Sequence, residues 1–410
     1  MGGVAFALLR DRAGLLQLTL KRGVSPPEHF DLLASLSRES VVEAEGTTVE
    51  SPRARVGAEV IPDVLRVLAR AEAPLPLGVA DKVGADLDTR LNHRVLDLRK
   101  PEVRQIFRLR SALLEGFRSA FRQMGFWEVE TPKILRQGAE GGATLFRVDY
   151  FGGVAYLAQS PQLYKQMLMA ADFERVFEIA PAFRAEPSDT SRHLTEFTSL
   201  DAEMAYIEGP EELWTTVEGL IQRAFTLARE ALETAGEPLA TALPEVRTPF
   251  PRIPFREAVR LLGRSPQPPE RDADLGAEDE RKLGELIPRQ HGNDFYFLTG
   301  FPTSVKKGTF YAMRRDEEPS LTQYFDLDYR GWEIVSGGQR EHRPDRLEAQ
   351  IREAGLDPAQ FPSYLEAFRY GMPPHGGFAL GIDRLTALLT GVPNVREARL
   401  FPRDRYRLEP

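Results

Sequence analysis

The stretch RVFEIAPAFRAEPSDTSRHLTEFTSLDAEMAY, Arg175 to Tyr206, carries two runs of strand character, residues 175–185 and 195–206, joined by a polar loop without helical period. Consecutive strands with no helix between them favour an antiparallel α+β sheet over a doubly wound one. Working outward, further strand-like runs fall at 126–130, 148–157, 295–299, 324–328, 332–335 and 376–381. Helical spacing marks 162–170, 210–234, 346–355 and 361–370. Before them, Val103, Phe107, Leu109, Leu113, Leu114, Phe117 and Phe121 recur with the period of one long amphipathic helix over 101–124. The strand after it stops at Thr131-Pro132, because proline cannot donate to a ladder. The acidic, proline-rich segment 265–282 reads as a surface loop with a short helix.

The first part of the chain alternates apolar and polar residues over 4–9, 15–20, 41–49 and 56–61, the pattern of a small all-β module. Residues 64–77, with Pro74 and Pro76, read as a last short strand or helix running into a linker. The expected organisation is therefore a β-module over 1–77, a hinge over 78–100 and a main domain over 101–410. A strand signal follows Met1-Gly2-Gly3 at once, so a barrel lacking its first strand is expected.

With 410 residues, 42% hydrophobic and 28% charged, the composition is that of a folded protein with a sizeable core. The chain has no cysteine, which excludes disulfides, thiolate catalysis and Cys-bearing metal sites. The longest uncharged stretch, 150–164, is too short to span a bilayer, and no basic region precedes an apolar core at the start; a cytoplasmic protein without membrane contact is expected. The net charge of −8 argues against a surface that coats nucleic acid as a whole. Locally the balance reverses: residues 90–136 hold eleven Lys and Arg against five Asp and Glu, either a solvated surface or a docking face for a phosphate-rich partner.

Neither a P-loop nor a Gly-x-Gly-x-x-Gly follows a strand, so a nucleotide would have to be held by side chains. Two arginines sit in suggestive settings: Arg184 in Ala182-Phe183-Arg184-Ala185-Glu186, and Arg384 at the end of Gly376-Gly377-Phe378-Ala379-Leu380-Gly381-Ile382-Asp383-Arg384. Their planar forks suit phosphate oxygens. Together with the helix and strand closing on Pro132, and with Arg192-His193-Leu194-Thr195-Glu196-Phe197, these segments resemble, in order, the three signature motifs of class II aminoacyl-tRNA synthetases. The resemblance implies that family's antiparallel sheet flanked by helices, with an N-terminal OB-type barrel. It implies an ATP site of Arg184, Glu186, Arg192, His193, Leu194, Phe197, Glu333, Gly381 and Arg384. Within it, Arg184 meets the α-phosphate, Phe197 stacks on adenine, and Arg192, His193 and Arg384 take the distal phosphates. Arg184 and Arg384 are the catalytic pair.

The run QSPQLYKQ, 159–166, resembles the aspartyl type of the family, in which Gln162 and Lys165 face the amino acid. Lysine is scarce, eight of 53 basic residues, which singles out Lys165 inside an uncharged stretch. Arg340, in Glu333-Ile334-Val335-Ser336-Gly337-Gly338-Gln339-Arg340, matches the arginine that forks onto the substrate's side-chain carboxylate. Glu140, in a glycine-flanked lid, and Asp201 match its α-ammonium partners, and Arg184 and Ser336 complete the aspartate set. Glu333, Ser336 and Asp326 offer hard oxygens for Mg²⁺ on ATP.

Phe6, Gln17 and Glu59 match the anticodon-reading positions of the barrel, and Pro62 beside them suits relaxed reading. The implied enzyme is a homodimer that makes aspartyl-adenylate from L-aspartate and ATP and transfers aspartate to tRNA(Asp) and tRNA(Asn). The alternatives are an asparaginyl-tRNA synthetase and a tRNA-independent asparagine synthetase of the same fold.

Overall fold

A computed structural model describes residues 3–54, 56–80, 84–138, 145–187, 190–269, 271–306 and 308–410. The chain divides into two compact units, Met1–Gly84 and Ala85–Pro410.

In the first unit, β1 (Val4–Arg10), β2 (Leu15–Lys21), β3 (Val41–Glu50) and β4 (Ala58–Ala69) form a sheet in the order β1-β2-β4-β3. β2 and β4 run parallel and the other neighbours antiparallel, the strand pattern of an OB-type sheet. Leu18, Val60 and Leu65 form its small core. Two expectations need correction. The unit is not all β, because helix α1 (Pro27–Ser35) lies between β2 and β3. It opens on proline, whose missing N–H has no intrahelical partner at that position anyway, and it buries only His29, too little apolar stripe to be read from periodicity. Nor is 64–69 a separate element: β4 continues through it, past Pro62, where the opposing strand shifts register between Glu45 and Gly46.

The second unit opens with α2 (Leu87–Asn92), α3 (Arg94–Asp97) and the long α4 (Pro101–Gln123). There follow β5 (Trp127–Glu128), β6 (Ile134–Leu135), β7 (Arg147–Tyr150), β8 (Gly153–Leu157), α5 (Gln162–Met169), β9 (Arg175–Phe183), β10 (Glu196–Ala205) and α6 (Pro210–Thr234). After β11 (Arg252–Pro254), α7 (Phe255–Leu261) and α8 (Ala277–His291) come β12 (Phe295–Thr299), β13 (Tyr324–Tyr329) and β14 (Trp332–Gln339). The last elements are α9 (Pro344–Glu353), α10 (Pro362–Arg369), β15 (His375–Gly381) and α11 (Ile382–Thr390).

The main sheet has the order β11-β12-β13-β14-β15-β10-β9-β5. From β12 to β9 every neighbour is antiparallel, as the loop between β9 and β10 led one to expect; only the short edge strands β11 and β5 pair parallel. β6, β8 and β7 make a small separate sheet. The main core packs Leu113, Phe117 and Phe121 of α4 and Leu220, Ile221 and Phe225 of α6 against Leu200, Phe325, Val335, Phe378 and Leu380 of the sheet. Gly116 is what lets the two helices touch, since a Cβ there would stand 2.5 Å from the Ala224 carbonyl oxygen. The short helix expected within 265–282 is longer, and α8 runs to His291; Glu278, Asp279 and Glu280 in its first turn complement the helix dipole.

Residues 85–100 belong to the second unit rather than to a free hinge. Arg94 is fully buried and donates to the carbonyls of Leu400 (2.9 Å) and Arg399 (2.7 Å) and to Asp97 (2.7 Å). Arg90 bridges Asp97 and Glu397, and Arg110 meets Asp383 and Thr198. Part of the basic excess over 90–136 is therefore spent on pinning the C-terminal tail. Among the described residues no helix is long and apolar enough to cross a membrane.

Candidate active site

One cavity of about 320 Å³ opens where β10, β15 and β14 lie side by side, and it is lined by Arg184, Glu186, Arg192, His193, Leu194, Phe197, Glu333, Gly381 and Arg384. All nine residues expected around ATP thus meet in one place, with Ser199 and Ser336 on the same wall. The strands explain how. Arg184 leaves the end of β9, Phe197 sits on β10 opposite Ala182, and Gly381 ends β15 so that α11 starts at once and carries Arg384 in its first turn.

The cavity lining sets three arginines, Arg184, Arg192 and Arg384, among three carboxylates, Glu186, Glu333 and Asp383. The Arg184 guanidinium stands 5.3 Å over the Phe197 ring and 3.9 Å from Glu186. Arg384 is held by the backbone carbonyls of Glu333 (3.2 Å) and Arg192 (3.4 Å), 3.8 Å from the Glu333 carboxylate and 3.3 Å from His193 Nε2. Arg192 pairs with Glu280 at 2.6 Å and lies on the Trp332 ring. Burial and the nearby Arg384, Arg184 and Arg192 hold the His193 imidazole below its ordinary range, so His193 enters the cavity as a neutral ring. Three forks converging on one cavity are suited to a polyphosphate.

Beside it lies a buried cluster of charged side chains, which is the candidate pocket for the amino acid. Lys165 on α5 is buried, with Nζ 3.2 Å from Asp201, 3.3 Å from Glu203 and within reach of the Ala202 and Phe378 carbonyls. Arg340, just past β14, is 1% exposed and grips Glu203 through Nε at 3.0 Å and Nη2 at 3.5 Å; among the described residues its Nη1 has no hydrogen-bond partner. Gln162, one turn before Lys165 on α5, is also buried. Two cations and two carboxylates share the pocket, and one guanidinium nitrogen is left over. Glu203 is the acid that sequence reasoning missed. Its signal was there: two residues after Asp201 on one strand, it must face the same side.

The chain's fit to a hard divalent ion is partial. Glu333 is part-exposed on the cavity and Ser336 lies on the same wall, so both offer oxygen there. Asp326 has to be taken off the list of open ligands. Its Oδ1 accepts from Ser336 Oγ at 2.6 Å and its Oδ2 pairs with Lys306 at 2.8 Å, a cation that sequence reasoning overlooked. Among the described residues no group of three His, Asp or Glu is arranged around an ion. Glu333 and Ser336 are thus the two protein oxygens that the cavity could offer to a hard divalent ion. Glu140 lies outside the described residues.

On the first unit, Phe6 is exposed on β1, and Gln17 stands opposite Glu59 across the β2–β4 contact. Glu59 is not free to read a base: it is buried and accepts from Thr19 (2.8 Å), Gln17 (3.2 Å) and Lys21 (3.0 Å). Pro62 is also corrected, since it is buried within β4 opposite Gly46 and has no surface to offer.

Residues 86–405 match the family model of class II tRNA synthetases (D, K and N). The chain is 49% identical over its whole length to the aspartate–tRNA(Asp/Asn) ligase of Methanopyrus kandleri, covering 93% of that protein. It is 47% identical to the aspartate–tRNA(Asp) ligase of Thermococcus kodakarensis, with the same coverage. Among solved structures it is similar to the asparaginyl-tRNA synthetase from Pyrococcus horikoshii complexed with asparaginyl-adenylate, at 34% identity and a TM-score of 0.88, covering all of this chain and 93% of that one.

Proposed function

The chain belongs to the class II tRNA synthetases of the D, K and N group and is an aminoacyl-tRNA ligase, and from that premise we propose that it activates L-aspartate with ATP and loads it onto tRNA(Asp) and tRNA(Asn). The observation that carries the choice of amino acid is the buried pair Lys165 and Arg340, with Arg340 Nη1 left without a partner among the described residues. A second carboxylate on the substrate supplies the acceptor that this nitrogen lacks; a carboxamide would turn one donor toward two cations. Aspartate fits on those grounds, while the likeness to an asparaginyl enzyme keeps asparagine as the second reading.

In the first step the α-carboxylate of aspartate attacks the α-phosphorus of ATP in line and pyrophosphate leaves. Arg184 meets the charge that develops on the α-phosphoryl oxygens, and Arg384, Arg192 and neutral His193 hold the departing phosphates. Mg²⁺ would neutralise phosphate charge, with Glu333 and Ser336 as its protein oxygens. In the second step the terminal ribose hydroxyl of tRNA attacks the adenylate carbonyl and AMP leaves. The exposed Phe6 supplies stacking to anticodon bases, and a homodimer built through α4 and β5 completes the reading.

ATP–pyrophosphate exchange with aspartate and with asparagine tests it, in the wild type and in Lys165→Leu. Exchange driven by aspartate and abolished in the variant is expected. Faster exchange with asparagine, or an unchanged variant, contradicts the assignment.

A further inference from the structure

Behind the amino-acid pocket, Gln162 is continued by three buried polar side chains, Gln166, Tyr364 and His375, to which nothing above gives a task. Gln162 and Gln166 are four residues apart on α5 and therefore on one face. Gln162 Nε2 donates to Gln166 Oε1 at 2.8 Å, and the Tyr364 hydroxyl donates to the same oxygen at 3.0 Å. Gln166 Nε2 lies 2.9 Å from His375 Nε2, and His375 Nδ1 lies 2.8 Å from the Pro373 carbonyl oxygen. Gln166 and His375 are wholly buried; Gln162 and Tyr364 nearly so.

The direction of every bond follows from the far end. A carbonyl oxygen can only accept, so His375 Nδ1 must carry the proton. In a neutral imidazole Nε2 is then an acceptor, and Gln166 must present its NH₂ to it. That leaves Gln166 Oε1 to accept from Tyr364 and Gln162, so Gln162 has to turn its own NH₂ inward. Gln162 Oε1 is the free end, with no partner among the described residues. An amide oxygen can meet only a donor. Aspartate brings two carboxylates and one ammonium, so the group it can receive is the α-ammonium.

We propose that Gln166, Tyr364 and His375 are positioning residues that lock the Gln162 amide in one orientation, so that its oxygen meets the substrate's α-ammonium. The proposal rests on the aspartate reading of the pocket. A two-faced amide would otherwise be free to flip and present NH₂ to a cation, with loss of affinity. The network thus fixes hydrogen-bond polarity across three side chains without any of them touching substrate.

The test compares L-aspartate with succinate, the same dicarboxylate without the ammonium, in ATP–pyrophosphate exchange by the full chain. For Gln166→Met, the KM for aspartate should rise about tenfold, while the inhibition constant of succinate and the KM for ATP stay within about twofold of wild type. Gln166→Glu keeps an oxygen opposite the Gln162 NH₂ in either protonation state and should restore most of the aspartate affinity. Equal weakening of aspartate and succinate would mean a collapsed pocket and overturn the proposal, as would an unchanged aspartate KM in Gln166→Met or a failure of Gln166→Glu to rescue. A wild-type chain that does not use aspartate at all overturns the reading of the pocket, and the relay with it.

Discussion

The two halves of the active site solve opposite electrostatic problems. The cavity proposed for ATP gathers Arg184, Arg192 and Arg384 around an open space; Arg192 is paired with Glu280 at 2.6 Å, whereas Arg184 and Arg384 are only loosely balanced, by Glu186 at 3.9 Å and Glu333 at 3.8 Å. The candidate amino-acid pocket is a buried cluster, and its cations Lys165 and Arg340 are tied at 3.0–3.3 Å to Glu203 and Asp201, all four side chains being buried. An open cavity can leave arginines waiting, because water solvates them until phosphate arrives. A buried lysine and arginine cannot wait alone, since an unpaired charge in the interior costs several kcal/mol. The cluster therefore carries its own acids, and in the aspartate reading a substrate carboxylate would compete for the donors that those acids leave over.

The sharpest break of this contrast is a substitution in each half. Glu203→Gln removes the acid that both pocket cations share, so it should lower the stability of the fold by about 3–5 kcal/mol, the usual cost of stripping one partner from a buried ion pair. A urea midpoint equal to that of the wild type would show that Lys165 and Arg340 do not depend on it. Arg184→Ala and Arg384→Ala should do the reverse. Their urea midpoints should barely move, while adenylate formation falls on the order of 10²–10³-fold, the typical loss when one donor to a developing charge is deleted. The two should also divide the kinetics. Arg184→Ala acts on kcat, because its charge counts most at the reacting phosphorus; Arg384→Ala acts on the KM for ATP. An unfolded Arg384→Ala, or adenylate yields like those of wild type, would erase the distinction between the halves.

The same contrast explains what could be read from the sequence. Eight of the nine cavity residues are carried by short ordered segments, Arg184 to Glu186, Arg192 to Phe197 and Gly376 to Arg384, and were legible because their neighbours in sequence are their neighbours in space; Glu333 comes from a fourth segment, on β14. The pocket's compensating acid was not found, because Glu203 matters only through Arg340, 137 residues away. Lys306 stayed hidden for the same reason: its partner Asp326 lies 20 residues on, and a lysine in that stretch carries no pattern that points to it. Helix α1 was missed because it buries almost nothing apolar, and the tail clamp because Arg94 reaches carbonyls some 300 residues on, where side-chain spacing leaves no trace.

A pH series sharpens the comparison from the pocket side. Burial pushes the His375 imidazole down to about 4, although Glu203 pulls the other way. The unfolded chain takes up that proton near 6.5 and the fold refuses it until about 4, so stability is fully present above pH 6.5 and is lost as pH falls between those values. The whole interval is worth about 3 kcal/mol, of which about 2 kcal/mol should be gone by pH 5. His375→Gln has no such proton to exclude, so the difference between the wild-type and variant urea midpoints should shrink from pH 7 to pH 5. Parallel lines over that range would mean that the imidazole takes up its proton in the fold as readily as in the unfolded chain, and the polarity of the network behind Gln162 would have to be redrawn.

The smallest effect concerns tRNA choice. Relatives of similar identity are named for tRNA(Asp) alone in one case and for tRNA(Asp/Asn) in another, so overall likeness does not decide it. Of the four residues expected to meet the anticodon, Glu59 is bound up with Thr19, Gln17 and Lys21, and Pro62 is buried. The exposed contact is Phe6, and an aromatic face stacks on any base. The two anticodons differ only in their third base, and stacking on Phe6 does not distinguish one base from another. Loading of tRNA(Asp) and tRNA(Asn) with aspartate should therefore differ by no more than about tenfold, or roughly 1.4 kcal/mol. Phe6→Ala should weaken both alike, by about 1–3 kcal/mol, since only stacking is lost. Kinetics on unmodified transcripts decide the matter. A thousandfold preference for tRNA(Asp), or a Phe6→Ala loss confined to one tRNA, would place base-specific recognition on this surface after all, with the aspartate pocket untouched.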